Sequence, residues 1–379
     1  MIFTGHQKLR ILMASLILIW GIECETPPAA GGSRSPDWVS GESSKYPREK
    51  YLTGVGYGDS RKAAEDEAYA TIARIFQANI QSKTREWEEY FQSSDKSEGP
   101  KVESQVSRKI FMDQLTQVST HKVLENVSIA EVWVDSRIHR TYALAVMDRA
   151  HSAAVIQGRI EELDRQAQTL FESATKVGQP DGVQQAVSKL QVVRELHAAF
   201  KALLLREGLN TDLKIINPDG RGLDGRLSLT QVGKALRQVL SQEFHVALEL
   251  SGPHSEKIWS AILQGLTREG LVVTDRSSAL SASGGGSNGL EEKRIEDVLV
   301  KGEMNLEPLQ LQGRPFYRWQ VQFTLIDLSN NRVLGNVARN GREGHLNPSE
   351  AEARAVRAAQ WGVQEEVGPT LAGIIFGEE

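Results

Sequence analysis

The chain has 379 residues, 40% of them hydrophobic and 25% charged, with a formal net charge of -5. A length of this order allows two or more separately cored units, and the composition is that of a folded protein, which excludes a disordered or multi-spanning one. The weakly acidic balance supplies no basic field for a phosphate backbone, so nucleic acid is not an expected partner.

In chain order, Lys8 and Arg10 precede an apolar run from Ile11 to Ile22, with only Glu23 between that run and Cys24, the sole cysteine. A run this short with basic residues before it has the form of a secretory signal, here residues 1–23, and not of a membrane span. A thiol just beyond such a run is placed for attachment of diacylglycerol, which makes Cys24 the expected lipidation site. Glu23 departs from the small residue expected before a lipidated cysteine; the alternative is an ordinary signal cut near Ala29 or Ala30, with Cys24 incidental. Both readings take the mature chain out of the cytoplasm. One cysteine forms no intramolecular disulfide, and the eight scattered histidines make no cluster at zinc-ligand spacing, so no metal or other cofactor is expected.

Residues 24–45, rich in Pro, Gly and Ser, read as a flexible tether, with order beginning around Pro36, Asp37 and Trp38. Tyr51 to Gly58 reads as a strand closed by glycines. A helix capped by Asp59 or Ser60 follows, with Ala64, Ala68, Ile72, Phe76 and Ile80 on one face against a sheet. Val102 to Thr120 and Leu124 to Met147 are expected strands. Ile156, Ile160, Leu163, Ala167, Leu170, Ala174 and Val177 then step at coiled-coil spacing. Gly178, Pro180, Asp181 and Gly182 interrupt this seam, and Val183, Ala186, Leu190, Val193, His197, Phe200 and Leu204 resume it, which predicts an antiparallel helical hairpin over 149–208.

A C-terminal unit, residues 209–379, begins its own pattern near Leu213. Ser228 caps a helix carrying Leu229, Val232, Leu236 and Val239. Val246 to Leu250 is a strand, Ser255 to Arg268 a helix closed by Gly270, and Leu271 to Thr274 a strand. The Ser/Gly run 277–289 reads as a loop. Val298 to Met304, Trp319 to Leu328 and Val333 to Asn340 read as strands, the last two joined at Asn330-Asn331, and a helix from Pro348 to about Val367 closes the chain with Ala351, Ala355, Ala358 and Gly362 on its small face. The fold class is therefore α+β.

Pro36-Asp37-Trp38-Val39, then Tyr46-Pro47, then Tyr51-Leu52-Thr53-Gly54-Val55-Gly56-Tyr57-Gly58 before an Ala-rich helix resembles the LPP-twenty family of bacterial envelope lipoproteins, and is similar to the N-terminal domain of flagellar assembly protein T. The resemblance covers about residues 36–150 and places an α+β domain of that type at 46–148. The half from Leu213 onward looks more loosely like periplasmic α+β modules, such as the amino-terminal domain of the Tol-system propeller protein or the activator lipoproteins of cell-wall synthases. What the resemblance implies is a protein without enzymatic activity, at the periplasmic face of the outer membrane or in the periplasm. It would work by contact with other envelope proteins, with no small-molecule substrate. The alternative is a soluble periplasmic ligand-binding or hydrolytic protein.

Other groupings bear on chemistry. Gly54, Gly56 and Gly58 follow a strand, but their spacing fits neither the dinucleotide fingerprint nor a P-loop, so the expected role is close packing of strand and helix. His197 falls on the hairpin seam as a packed histidine. His121, His139 and His151 are far apart and no G-x-S-x-G turn is present, so no catalytic set is expected. Trp87, Tyr90 and Phe91 form an aromatic patch late in the first helix, and the alanine faces 63–73 and 351–359 are expected to pack on sheets.

Overall fold

The computed structural model describes residues 35–94, 125–176, 188–275, 296–311 and 313–378, without the side chains of 78–94. It is an α+β protein in which two sheets are joined by a helical hairpin. The expected signal peptide, Cys24, the strand over Val102–Thr120, His121 and the loop 277–289 lie outside the described residues, as do the side chains of Ile80, Trp87, Tyr90 and Phe91.

The first sheet consists of β1 (Tyr51–Gly58), β2 (Val127–Asp135) and β3 (Arg140–Asp148), ordered β1-β3-β2 with both pairings antiparallel. Helix α1 (Arg61–Ser94) is capped by Ser60, whose Oγ accepts from the Ala63 amide at 3.2 Å. Its buried stripe Ala64, Ala68, Ile72 and Phe76 covers one face of the sheet. Glycine permits this closeness: a Cβ at Gly54 would lie 2.7 Å from the Ala68 carbonyl oxygen, and one at Gly56 would overlap the backbone of Ala64 and Ala68. The imperfect alternation in β2 has a physical cause, a bulge at Ala130 between Ile129 and Glu131.

Helices α2 (Arg149–Lys176) and α3 (Lys189–Ile216) form the hairpin. Their antiparallel course is fixed at one end by Arg149, whose Nη1 donates to the carbonyl oxygens of Ile215 and Ile216 at 2.9 and 2.6 Å. Buried Ile156, Ile160, Leu163 and Ala167 carry the expected seam. One boundary of the hairpin differs from the sequence reading. Ser188 caps α3, with Oγ accepting from the Gln191 amide at 3.3 Å, and the helix runs past residue 208 to Ile216. Leu209, Leu213 and Ile216 are buried against the first sheet's helices, so apolar packing continues where a new unit was expected to open.

The second sheet is preceded by α4 (Leu229–Gln238), capped reciprocally by Ser228 and Gln231 and followed by a π-helical turn, Val239–Glu243. Then come β4 (Val246–Ser251), α5 (Ser255–Arg268), β5 (Val273–Asp275), β6 (Val298–Leu311), β7 (Arg314–Asp327) and β8 (Arg332–Gly344). The strand order is β5-β4-β6-β7-β8, with β4 parallel to β5 and β6 and the remaining pairs antiparallel. Asn331 at φ 56° makes the β7–β8 turn. Val321, Phe323 and Leu325 point into the core shared with α5 and with α6 (Pro348–Gly362). The last helix does not end at Val367 as expected. A π-helical turn over Val363–Val367 leads into α7 (Gly368–Phe376), which buries Leu371, Ala372, Ile375 and Phe376. Pro369 falls in the first turn of α7, where its missing N–H costs nothing.

Candidate functional site

The face of the first sheet turned away from α1 is built in rows. Register pairs Tyr57 with Tyr142 and Trp133, Val55 with Leu144 and Glu131, and Thr53 with Val146 and Ser128. The segment before β1 folds back over the last two rows. A 3-10 turn, Asp37–Ser40, places Trp38 against Leu144 and Val146, leaving it 2% exposed. Asp37 organises this turn: its carboxylate accepts from the Trp38 amide at 2.8 Å and from the amide and hydroxyl of Ser44 at 2.8 and 2.7 Å. These bonds, the Ser44 hydroxyl's first, hold its carboxyl below the usual carboxylate range. Glu131 closes the clasp from β2, accepting from Lys45 Nζ and from Trp38 Nε1, each at 2.8 Å. Lys45, and after it Trp38, hold the Glu131 carboxyl down.

The first row lies beyond the clasp. Tyr142 is flanked by Tyr57 at 6.2 Å and Trp133 at 5.5 Å between ring centroids, and the Arg140 guanidinium stands 5.0 Å from the centre of the Tyr57 ring. Tyr57 and Ile138, the latter in the β2–β3 turn, are each 57% exposed. Arg137 in the same turn bonds Asp135 at 3.3 Å. The arrangement presents amphipathic rings rimmed by guanidinium groups. Its rings have apolar faces and polar edges.

The other candidates, apart from His139, stand away from this face. Gly54, Gly56 and Gly58 turn toward α1 and are filled by its backbone and by Ala63, which bears out close packing and leaves no space for a phosphate there. His139 is exposed in the β2–β3 turn at φ 50°, and His151 is exposed in the first turn of α2. His197 is 6% exposed and stacks on Phe376 at 4.7 Å and 18°; burial, with a smaller effect of Lys201, pushes its imidazole down to about 4. Among the described residues no group of three or more His, Cys, Asp or Glu is placed to hold a metal ion, and no helix is long and apolar enough to cross a membrane.

Three arginines that sequence reading passed over do more positioning than any histidine. Arg149 closes the C-terminal end of α3, as described. Arg194 closes that of α7, donating from Nε and Nη2 to the carbonyl oxygens of Ile375 and Ile374 at 3.1 and 2.9 Å. Arg206, buried in α3, bonds Asp164 on α2 at 3.1 Å, Glu207 at 2.8 Å and the Leu223 carbonyl at 2.6 Å, while the Leu223 amide donates to Asn210 Oδ1 at 2.7 Å. The available signal was an arginine on an otherwise apolar stripe, as Arg206 is between Leu203 and Leu209.

Among known proteins, the LPP20 lipoprotein family model matches residues 36–148. No curated relative matches. Similar solved structures include a minor lipoprotein from Acinetobacter baumannii, at 12% identity and TM-score 0.25, covering 34% of this chain and 92% of that one. The secreted protein HP1454 from Helicobacter pylori is similar at 14% identity and TM-score 0.37, covering 84% of this chain and 100% of that one. Lipoprotein GNA1162 from Neisseria meningitidis is similar at 13% identity and TM-score 0.22, covering 30% and 94%. The family match falls on the part of the chain that carries the Trp38 clasp and the aromatic row, so it is this part, residues 36–148, that is similar to LPP20 lipoproteins.

Proposed function

We propose that this chain is a cell-envelope lipoprotein, held at a membrane through lipid on Cys24, that serves without catalysis as a structural or assembly factor by contacting other envelope proteins. The observation that carries the reading is the lipoprotein family match, which begins at Pro36, directly before the clasp that ties the N-terminal segment into the sheet. A pull arriving along residues 25–35 would be taken up by buried Trp38 and by the Asp37 and Glu131 hydrogen bonds. The aromatic row and the one-sided pairing of the edge strand β8 offer contact surfaces for partners. The outer membrane, periplasmic side, is the location this reading favours.

The test is detergent partitioning of membranes from expressing cells with the native chain and with Cys24→Ala. Release of the variant into the soluble fraction is the expected result. Identical partitioning of both chains overturns the lipid anchor, and turnover of a substrate by purified protein overturns the non-catalytic role.

A further inference from the structure

Two arginines fasten distant parts of the chain onto the same helix. Arg149, the first residue of α2, donates from Nε to the Arg48 carbonyl oxygen at 2.8 Å, and its amide donates to the Lys50 carbonyl oxygen at 3.0 Å. Arg48 and Lys50 end the N-terminal arm, immediately before β1 begins at Tyr51. The Arg48 guanidinium reaches back to the carbonyl oxygen of Gly41, the residue that closes the Trp38 turn, at 3.3 Å. Nη1 of Arg149 meanwhile holds the carbonyl oxygens of Ile215 and Ile216, so the arm and the C-terminal end of α3 meet at one guanidinium. Arg194, about 30 Å back along the axis of α3 from Ile215, grips the carbonyl oxygens of Ile374 and Ile375 at the end of α7.

All of these bonds end on main-chain carbonyl oxygens, so a pull on one segment reaches the backbone of the next without crossing a second side chain. The planar fork of arginine loses little freedom in making several bonds at once, and a cation is favoured at the C-terminal end of a helix. The arrangement matters most for β1. Among the described strands β1 pairs only with β3, and tension entering at Tyr51 would part that ladder one pair after another. An arm held at Arg48 and Lys50 delivers the load to α3 instead. This helix is packed on both sides, with Val193 in the interior of the second sheet and Leu203 in that of the first, and it hands the load on to α7 at Arg194.

We propose that α3 is a load-bearing strut, with Arg149 and Arg194 as its two end fittings, that carries a pull on the N-terminal arm past the first sheet to the last helix. The proposal rests on the lipid-anchor reading for the source of the pull, a membrane on one side and a bound partner on the other. Arg149 and Arg194 are positioning residues in this device, and their effect depends on where force enters the chain.

Optical-tweezers unfolding at constant load tests that dependence. The chain from residue 24 to 379 is held by a maleimide-linked DNA handle on Cys24 and by a second handle on a C-terminal tag. In the comparison geometry the first handle is moved to the exposed position 333 of β8, in the double variant Cys24→Ser/Val333→Cys, so that the load bypasses Arg149. With the handle on Cys24, Arg149→Met is expected to raise the unfolding rate by at least about tenfold, as the loss of charged-donor bonds implies, and to leave the rate nearly unchanged with the handle at 333. Arg194→Met is expected to raise the rate in both geometries, because α7 bears the load in each. An equal factor for Arg149→Met in the two geometries makes the residue merely structural and overturns the proposal. A native chain that releases β1 in a separate step before the rest overturns it too, as does a rate indifferent to Arg194→Met. Should Arg149→Met fail to fold, Arg149→Lys, which keeps the charge but gives up the fork, serves the same comparison. The covalent handle supplies the pull whether or not the cell adds a lipid, so these outcomes bear on the strut, while partitioning of Cys24→Ala bears on the anchor.

Discussion

Trp38 and Glu131 meet across 93 positions of sequence, the indole Nε1 donating to Oε2 at 2.8 Å, and with Lys45 on the other oxygen this contact fastens the N-terminal segment to the last strand of its sheet. Trp38→Ala removes a buried ring and is expected to cost about 3–5 kcal/mol of domain stability. Glu131→Gln keeps an acceptor for the indole but loses the charge facing Lys45, and is expected to cost about 1 kcal/mol. Urea titrations followed by far-UV circular dichroism would rank the two; equal effects would mean that the ring is held by the hydrogen bond and not by its burial.

Gly56 and Gly158 make opposite predictions for the same substitution. At Gly56 a methyl overlaps the α1 backbone, so Gly56→Ala is expected to separate strand from helix at a cost of about 3 kcal/mol or more. At Gly158, within α2, no atom lies within 4 Å of a new Cβ, and Gly158→Ala should stabilise by about 0.5–1 kcal/mol. Melting temperatures of the two variants should move in opposite directions.

His197 makes stability depend on pH. Its imidazole, pushed down to about 4, binds a proton in the folded state less readily than in the unfolded state, where the ordinary value is 6.5. The contribution is therefore fully present above pH 6.5 and is lost as pH falls toward 4, by up to about 3 kcal/mol in total. The positive charge of Lys201 on α3 adds to burial in opposing protonation, and Lys201 itself pairs with Glu378 at 3.5 Å. His197→Phe preserves a ring against Phe376 and should flatten the pH profile of the urea midpoint in this window; an unchanged slope would assign the acid sensitivity to other groups.

Arg194 holds the end of α7 through two carbonyl oxygens. Arg194→Met retains most of the aliphatic stem and removes both bonds, for a loss of about 2 kcal/mol. Hydrogen exchange should show amides of residues 371–378 opening first, with those of β6 and β7 following only on global unfolding.

Legibility followed the range of the forces involved. The stripe Ala64, Ala68, Ile72, Phe76 and the helix Ser255–Arg268 are written in local periodicity, and the structure reproduces them. The strand expected over Val298 to Met304 continues to Leu311, because pairing with β7 carries the ladder through Asn305, Glu307 and Pro308, which break the apolar alternation. α7 lies beyond the expected end at about Val367; it opens on Gly368 and Pro369, residues poor in helix propensity, and is held by the burial of Leu371 and Ile375. At the candidate face, the tryptophan, the tyrosines and the glycine strand were visible as a motif, whereas the alignment of Tyr57, Tyr142 and Trp133 depends on register between strands far apart in the chain.

Helix α3 gives Leu190, Val193 and Leu196 to the apolar interior of the second sheet, and Phe200, Leu203 and Leu213 to that of the first. A stretch of backbone common to two interiors cannot melt for one without robbing the other, so heating should give a single calorimetric peak where two sheets alone would give two. The same sharing bars modular exchange: either half, cut loose or shuffled into another gene, would have to carry this helix with it.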